Sequence, residues 1–437
     1  MLTYYLELGF RAFRAHRGLT VLMLLSIAMG VAACMTTLTL FHVMSGDPIP
    51  HKSGRLFNVQ LDAESAREWK PGDEPELQLT RFDAETLLRA KRAVHQVAMT
   101  GSFIAVDPAG SGDAAQPPFF TGARYASADF FAMFEPGFRF GQGWTAADDT
   151  SEARVAVISS ELNDKLFGGQ DSRGKTLRLR DKDFTVIGVL KPWRPAPHYF
   201  DLTLGSYAKA ADVYLPLATS LGLRFGASGN MNCWGRSDGQ DPRALNTPCA
   251  WLQYWVQLDT PQQVADYRNY LVQYSEQQRQ AGRFERPPNP KLTAVMDWLS
   301  LRKVVPSDIK LQVWLAFGFL VVCLTNTVGL LLAKCLRRSG EIGVRRALGA
   351  PRSQIFLQFL VEAGSLGVAG GLLGLALTWV GLWVVRRNPS DYAQLAQLDW
   401  TMLGTTLGVS LLASVLAGLL PAWRACQITP AIQLKTQ

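Results

Sequence analysis

Residues 334–362 read KCLRRSGEIGVRRALGAPRSQIFLQFLVE, from Lys334 to Glu362, and lie between two apolar runs each long enough to cross a bilayer. Ahead of the second run stand six basic residues (Lys334, Arg337, Arg338, Arg345, Arg346 and Arg352) against one acid, Glu341. A short loop this basic between two spans belongs on the cytoplasmic side, because the lysine and arginine bias of short loops sets orientation. Within it Val344, Ala347 and Leu348 recur at helical spacing, while Arg345 and Arg346 face elsewhere. Gly349-Ala350-Pro351 stops this short helix, since glycine suits a C-terminal turn and proline cannot continue one. Two readings follow. The segment either serves only to set topology, or forms a helix beneath the membrane that docks on a cytoplasmic partner.

Working outward, the chain of 437 residues is 48% apolar with a net charge of +8. Much of the basic excess borders apolar runs, so membrane topology accounts for it. No ordered series of basic and aromatic residues points to nucleic acid, and no nucleic-acid partner is expected. Leu19–Phe41 carries no charge and, at about 1.5 Å per residue, crosses a core of roughly 30 Å. It is too long for a signal-peptide core and lacks a small-residue cleavage site, so it is read as an uncleaved first span. The segment before it is amphipathic and basic, which suits the lipid interface.

The fold class that results is an α-helical membrane protein with four transmembrane helices and a large mixed α/β extracytoplasmic domain between the first and second. By residue, an interfacial amphipathic helix covers 1–18, and the spans are 19–43, 309–333, 354–385 and 400–421. The extracytoplasmic domain covers 44–308, the basic cytoplasmic loop 334–353, a short outer loop 386–399 and a cytoplasmic tail 422–437. Arg386 and Arg387 run against the charge rule but are outvoted by the six basic residues of the preceding loop.

Inside the large domain, Arg81–Val97 has helical periodicity. RVAVIS (154–159) reads as a buried strand and Ser160–Phe167 as a helix. Thr176–Arg180, Phe184–Leu190 and Trp251–Leu258 read as further strands, followed by a helix over Pro261–Gly282. Residues 225–250 are rich in glycine, asparagine, serine and aspartate and read as a long loop. Cys233 and Cys249 lie in it, either as two free thiols or, in an oxidising compartment, as a disulfide.

Three features of the spans stand out. Asn326 interrupts the second and is expected to hydrogen-bond across helices. Glu362, near the cytoplasmic end of the third, is expected to pair with a loop arginine. Gly367/Gly371 and Gly370/Gly374 form two small-xxx-small pairs that permit close helix approach, or simply reflect the glycine content of membrane helices.

Catalytic and metal motifs are missing from the sequence. His16, His42, His51, His95 and His198 are scattered without ligand spacing, and no Gly-x-Ser-x-Gly elbow occurs. Gly169–Thr176 (GQDSRGKT) meets the spacing of a phosphate-binding loop. Such a loop needs a strand before it and a helix after it, and here the order is reversed, so it is read as a turn.

The segment EIGVRRALGAPRSQIFLQFLVEA resembles the cytoplasmic segment of FtsX-like, MacB-type permeases of ABC transporters. The residues that carry the likeness are Glu341, Ile342, Gly343, Arg345, Arg346, Leu348, Gly349 and Ala350. The likeness implies that they form a coupling helix fitting a cleft on an ATPase. A second stretch, VAVISSELNDKLFGGQDSRGKTLRLRDKDFTVIGVLKPW, resembles that family's periplasmic core domain; only residues 225–250 carry no such likeness. The resemblance implies a permease of the bacterial inner membrane that transmits ATP-driven motion to periplasmic domains and exports a substrate. It implies several partners: a separate ABC ATPase holding the ATP and Mg, with no cofactor on this chain; a second permease copy or paralogue; a periplasmic adaptor; and surrounding lipid. Activation of a cell-wall hydrolase and release of lipoproteins are the other roles that the same architecture implies.

Overall fold

A computed structural model describes residues 17–67, 69–108, 117–235, 239, 241–387 and 400–427. The interfacial helix expected over 1–18, apart from its last two residues, lies outside them, as do 388–399 of the outer loop and the tail from 428. The chain divides into two units, one formed by the N-terminal 45 residues with 305–437 and the other by 46–304.

Among the described residues, the first unit holds four helices long and apolar enough to cross a membrane. They run Arg17–Ser45, Ser307–Arg337, Arg352–Arg386 and Trp400–Cys426. The third is the hub, because its glycines open two faces to two neighbours. A Cβ on Gly370 would fall 2.8 Å from Ile27 Cγ2, and one on Gly374 would fall 3.1 Å from Val31 Cγ1 and 3.2 Å from the Ala28 carbonyl. These glycines therefore admit the first helix. On another face, a Cβ on Gly371 would fall 2.7 Å from Ser410 Oγ, and one on Gly367 would overlap Ser414. That face admits the fourth helix, and Ser410 Oγ donates to the Gly367 carbonyl at 2.7 Å. The second helix packs on the first, where Ser26 Oγ donates to the Cys323 carbonyl at 3.1 Å. Asn326 departs from expectation. It is exposed and makes no hydrogen bond to another helix among the described residues, because the second helix turns Cys323 and Thr327 inward instead.

The second unit is built on a mixed sheet. Its strands are β1 (Leu56–Gln60), β2 (Leu79–Thr80), β3 (His95–Asp107), β4 (Phe119–Ala126), β5 (Phe138–Gly141), β6 (Val155–Ile158), β7 (Thr176–Leu179), β8 (Lys182–Leu190), β9 (Val213–Pro216), β10 (Asn232–Cys233), β11 (Cys249–Gln257) and β12 (Lys291–Ala294). The main order is β12-β1-β11-β3-β4-β9-β6-β8-β5, with β2 and β10 on β11 and β7 bridging β3 and β8. Pairings are antiparallel except β4 with β9 and β6 with β8. β11 is buried at every position, as a central strand covered on both faces must be.

The helix expected over 81–97 stops at Ala90, where Lys91 takes a left-handed conformation (φ 47°). His95–Val97 instead enter β3 and pair with Trp255, Val256 and Gln257 of β11, so a tertiary partner overrides the local period. The turn at Gly169–Thr176 follows the helix Ser160–Phe167 and leads into β7. Its Gly174 N–H donates to the Val186 carbonyl and its Lys175 N–H to the Ser172 carbonyl, so those amides serve the hairpin rather than a phosphate.

A buried ion pair braces the loop after β8. Arg124 and Asp201 are 2% and 0% exposed and bonded to each other. Burial would raise the Asp201 carboxyl, but Arg124 beside it and the Thr203 hydroxyl hold it below the usual range. Beside them, burial pushes the His198 imidazole down to about 4 and keeps it neutral. Cys233 and Cys249 face each other across β10 and β11 and form a disulfide.

Two outcomes test this packing. Gly370→Ala with Gly374→Ala lowers the thermal unfolding midpoint in detergent, by an overpacking cost of about 1–3 kcal/mol. Gly364→Ala, where a Cβ would meet nothing within 4 Å, leaves it unchanged. Replacing both Cys233 and Cys249 with serine opens a loop of sequence separation 16. It costs about 3 kcal/mol in denaturant unfolding followed by tryptophan fluorescence.

Candidate coupling site

Between the second and third membrane helices the chain forms a short helix, Ser339–Ala347. It ends because Gly349 is left-handed (φ 96°) and Pro351 opens the third helix. Glu341 and Arg345, four apart, face each other on this helix at 2.7 Å. Arg345 also donates to Gln358 Oε1 of the third helix at 3.2 Å, and Arg338 lies 3.6 Å from Glu341. Ile342 is buried with Cys335, Ile355, Phe359 and Ala422. The apolar residues divide accordingly. Ile342 anchors the short helix to the unit, while Val344 (55% exposed) and Leu348 (83%) lie on its outer surface with Ala347 and Gly349.

The helix rests on a buried charge cluster. Glu362 and Lys334 are 3% and 1% exposed and bonded to each other, and Arg338 Nη1 lies 3.6 Å from the second carboxylate oxygen. The expected loop arginine is therefore Arg338, joined by a lysine that sequence reading counted only toward topology. A buried carboxylate needs such partners because its desolvation otherwise costs several kcal/mol. No local signal pairs Lys334 with Glu362, which lie 28 residues apart on antiparallel helices.

Of the residues read as coupling, Glu341, Ile342, Gly343 and Arg345 are thus engaged within the unit. Arg346 is half-buried and has contacts of its own. Leu348 and Gly349 remain exposed, and Ala350 is half-buried at the turn. Gly367, Gly370, Gly371 and Gly374 lie about four to six turns into the third helix, and Cys233 and Cys249 belong to the other unit.

Over residues 20–274, more than half of its length, the chain matches the MacB-like periplasmic core domain family, and over 313–430 the FtsX-like permease C-terminal family. It belongs to the FtsX/MacB-type permeases of ABC transporters. Among its relatives is the macrolide export ATP-binding/permease protein MacB 2 of Aeromonas hydrophila, 24% identical over 97% of this chain and 59% of that protein. MacB of Syntrophobacter fumaroxidans is 25% identical over 68% of this chain and 44% of its own length. The uncharacterized ABC transporter permease YvrN of Bacillus subtilis is 24% identical over 70% of this chain and 68% of its own. The chain thus spans about half the length of the MacB relatives it matches. The crystal structure of the periplasmic region of MacB from Actinobacillus actinomycetemcomitans aligns with a TM-score of 0.36 at 15% identity, over 59% of this chain and 96% of that one.

Replacing Glu362 with leucine leaves two cations facing an apolar side chain and costs about 3–5 kcal/mol in thermal unfolding of the detergent-solubilised chain. The double variant Lys334→Leu/Glu362→Leu regains most of that loss, because it removes the uncompensated lysine as well.

Proposed function

We propose that this chain is the permease subunit of an ABC-type efflux complex driven by a separate ATPase subunit. The short helix Ser339–Ala347 is the coupling element. The observation that carries this reading is its division into two sides: an inner side tied down by Ile342, Arg338 and Arg345, and an outer apolar edge at Val344 and Leu348. A large exposed apolar residue at the tip of a basic loop is suited to a pocket on a partner. The loop and both termini lie in the cytoplasm, in keeping with its six basic residues. The core domain then lies outside the inner membrane, where Cys233 and Cys249 meet an oxidising compartment.

In this mechanism ATP and Mg are held by the partner. Closure of the ATPase pair pushes the outer edge of the short helix. The buried Glu362 cluster passes the push to the second and third helices as a rigid body, and the core domain moves in response. A substrate is thereby driven outward through a periplasmic adaptor and an outer-membrane duct. Asn326, exposed among apolar residues in the middle of the second helix, supports a second permease copy or paralogue packed there rather than lipid alone.

Purification from the native membrane in mild detergent, followed by mass spectrometry, recovers an ABC ATPase with the wild-type chain. Val344→Asp with Leu348→Asp reduces the recovered ATPase, and the permease-stimulated rate, by about tenfold, the scale of a lost interface anchor. The unfolding midpoint stays at the wild-type value, since neither side chain is buried. Absence of any ATPase from the wild-type preparation in several mild detergents, or full stimulation by the double variant, overturns the assignment.

A further inference from the structure

A cavity of about 300 Å³ opens within residues 46–304 and takes no part in the coupling site. Five primary amide side chains line it: Asn58, Gln78, Asn230, Asn232 and Gln253. Asn58 and Gln253 are 1% and 5% exposed. Their carbonyl oxygens, Asn58 Oδ1 and Gln253 Oε1, have no hydrogen-bond partner among the described residues. Both oxygens are themselves closed off from solvent, so these two side chains stiffen the wall rather than offer a free acceptor.

The walls are fixed in place. Asp201, held by Arg124, accepts from the Thr203 N–H at 3.0 Å and from its hydroxyl at 2.6 Å. Thr203 Oγ1 in turn accepts from Gln253 Nε2 at 3.4 Å, which fixes that amide. Asn232 pairs with Ala250 in the β10–β11 ladder, and the disulfide follows at the next residue. It donates through Nδ2 to Glu76 Oε2 at 2.6 Å. The other Glu76 oxygen accepts from the Leu77 N–H at 2.7 Å.

We propose that this cavity is a binding site for a small neutral polyhydroxylated molecule, a mono- or disaccharide unit. A primary amide offers both a donor and an acceptor, as a hydroxyl does, so a ring of amides matches a ring of hydroxyls. The charged lining residues among those described are Glu76 and Arg302, of opposite sign, so the lining carries no net charge to favour an anion or a cation. Trp298, Phe200 and Met231 add apolar surface for the C–H face of a sugar ring. The volume falls at the small end of ligand sites, roughly 300–1,000 Å³.

The test is saturation-transfer NMR on the full chain in lipid nanodiscs. Glucose, N-acetylglucosamine and trehalose are the probes, with glutamate and lysine as charged controls. The expected result is a saturable signal from at least one sugar, with a Kd on the order of 1 mM. That signal is absent from empty nanodiscs and from both amino acids. Gln253→Leu weakens it about tenfold, the scale of one lost hydrogen bond. Because Gln253 is buried, a second variant is made at the rim. Met231 is 39% exposed, so Met231→Trp fills the cavity from outside, abolishes the signal and leaves the unfolding midpoint unchanged. A sugar signal no greater than that of empty nanodiscs overturns the proposal and makes this a water-filled pocket. So does a signal undiminished in Met231→Trp, or preferential binding of either amino acid. None of these outcomes depends on ATPase coupling.

Discussion

The buried carboxylate of Glu362 is the constraint from which the membrane unit is organised. A buried carboxyl group within an apolar helix calls for opposite charge beside it. Here Lys334 and Arg338 supply that charge from the end of the second helix and the residue that follows it. The cluster therefore fixes the second helix against the third at the point where the chain turns between them. Arg338 immediately precedes Ser339, so the start of the short helix is tied to the same carboxylate. Ile342 and Arg345 tie down its next turn. The short helix is thus anchored to two membrane helices together.

The third helix joins the rest of the unit through its glycines. Two pairs that overlap in sequence serve different neighbours, Gly367/Gly371 the fourth helix and Gly370/Gly374 the first. Close backbone approach replaces the hydrophobic driving force that lipid does not supply between helices. The core domain is held by other means: a buried central strand, the Arg124–Asp201 pair and a disulfide. Those same braces hold Thr203, Asn232 and Gln253 in the wall of its cavity.

Much of this was legible in the chain itself. Charge-free runs announce membrane helices because hydrophobic length is a local property. The helix Ser160–Phe167 and the strands on either side of it were readable from their own residues, as was the stop at Gly349–Pro351. Arg81–Val97 reads as one helix because its periodicity continues past Ala90. The register of β3 against β11 decided otherwise, and register belongs to two segments at once.

The sequence by itself determined the class of protein, the number of apolar helices and the basic segment between the second and third. Each depends on composition or spacing within one stretch. Only the tertiary structure decided which cations neutralise Glu362, which neighbour each glycine pair admits, and that Asn326 faces outward. It also brought Asn58, Asn232 and Gln253 to one cavity. These depend on distances between residues far apart in the chain, and such distances exist only once helices and strands have packed.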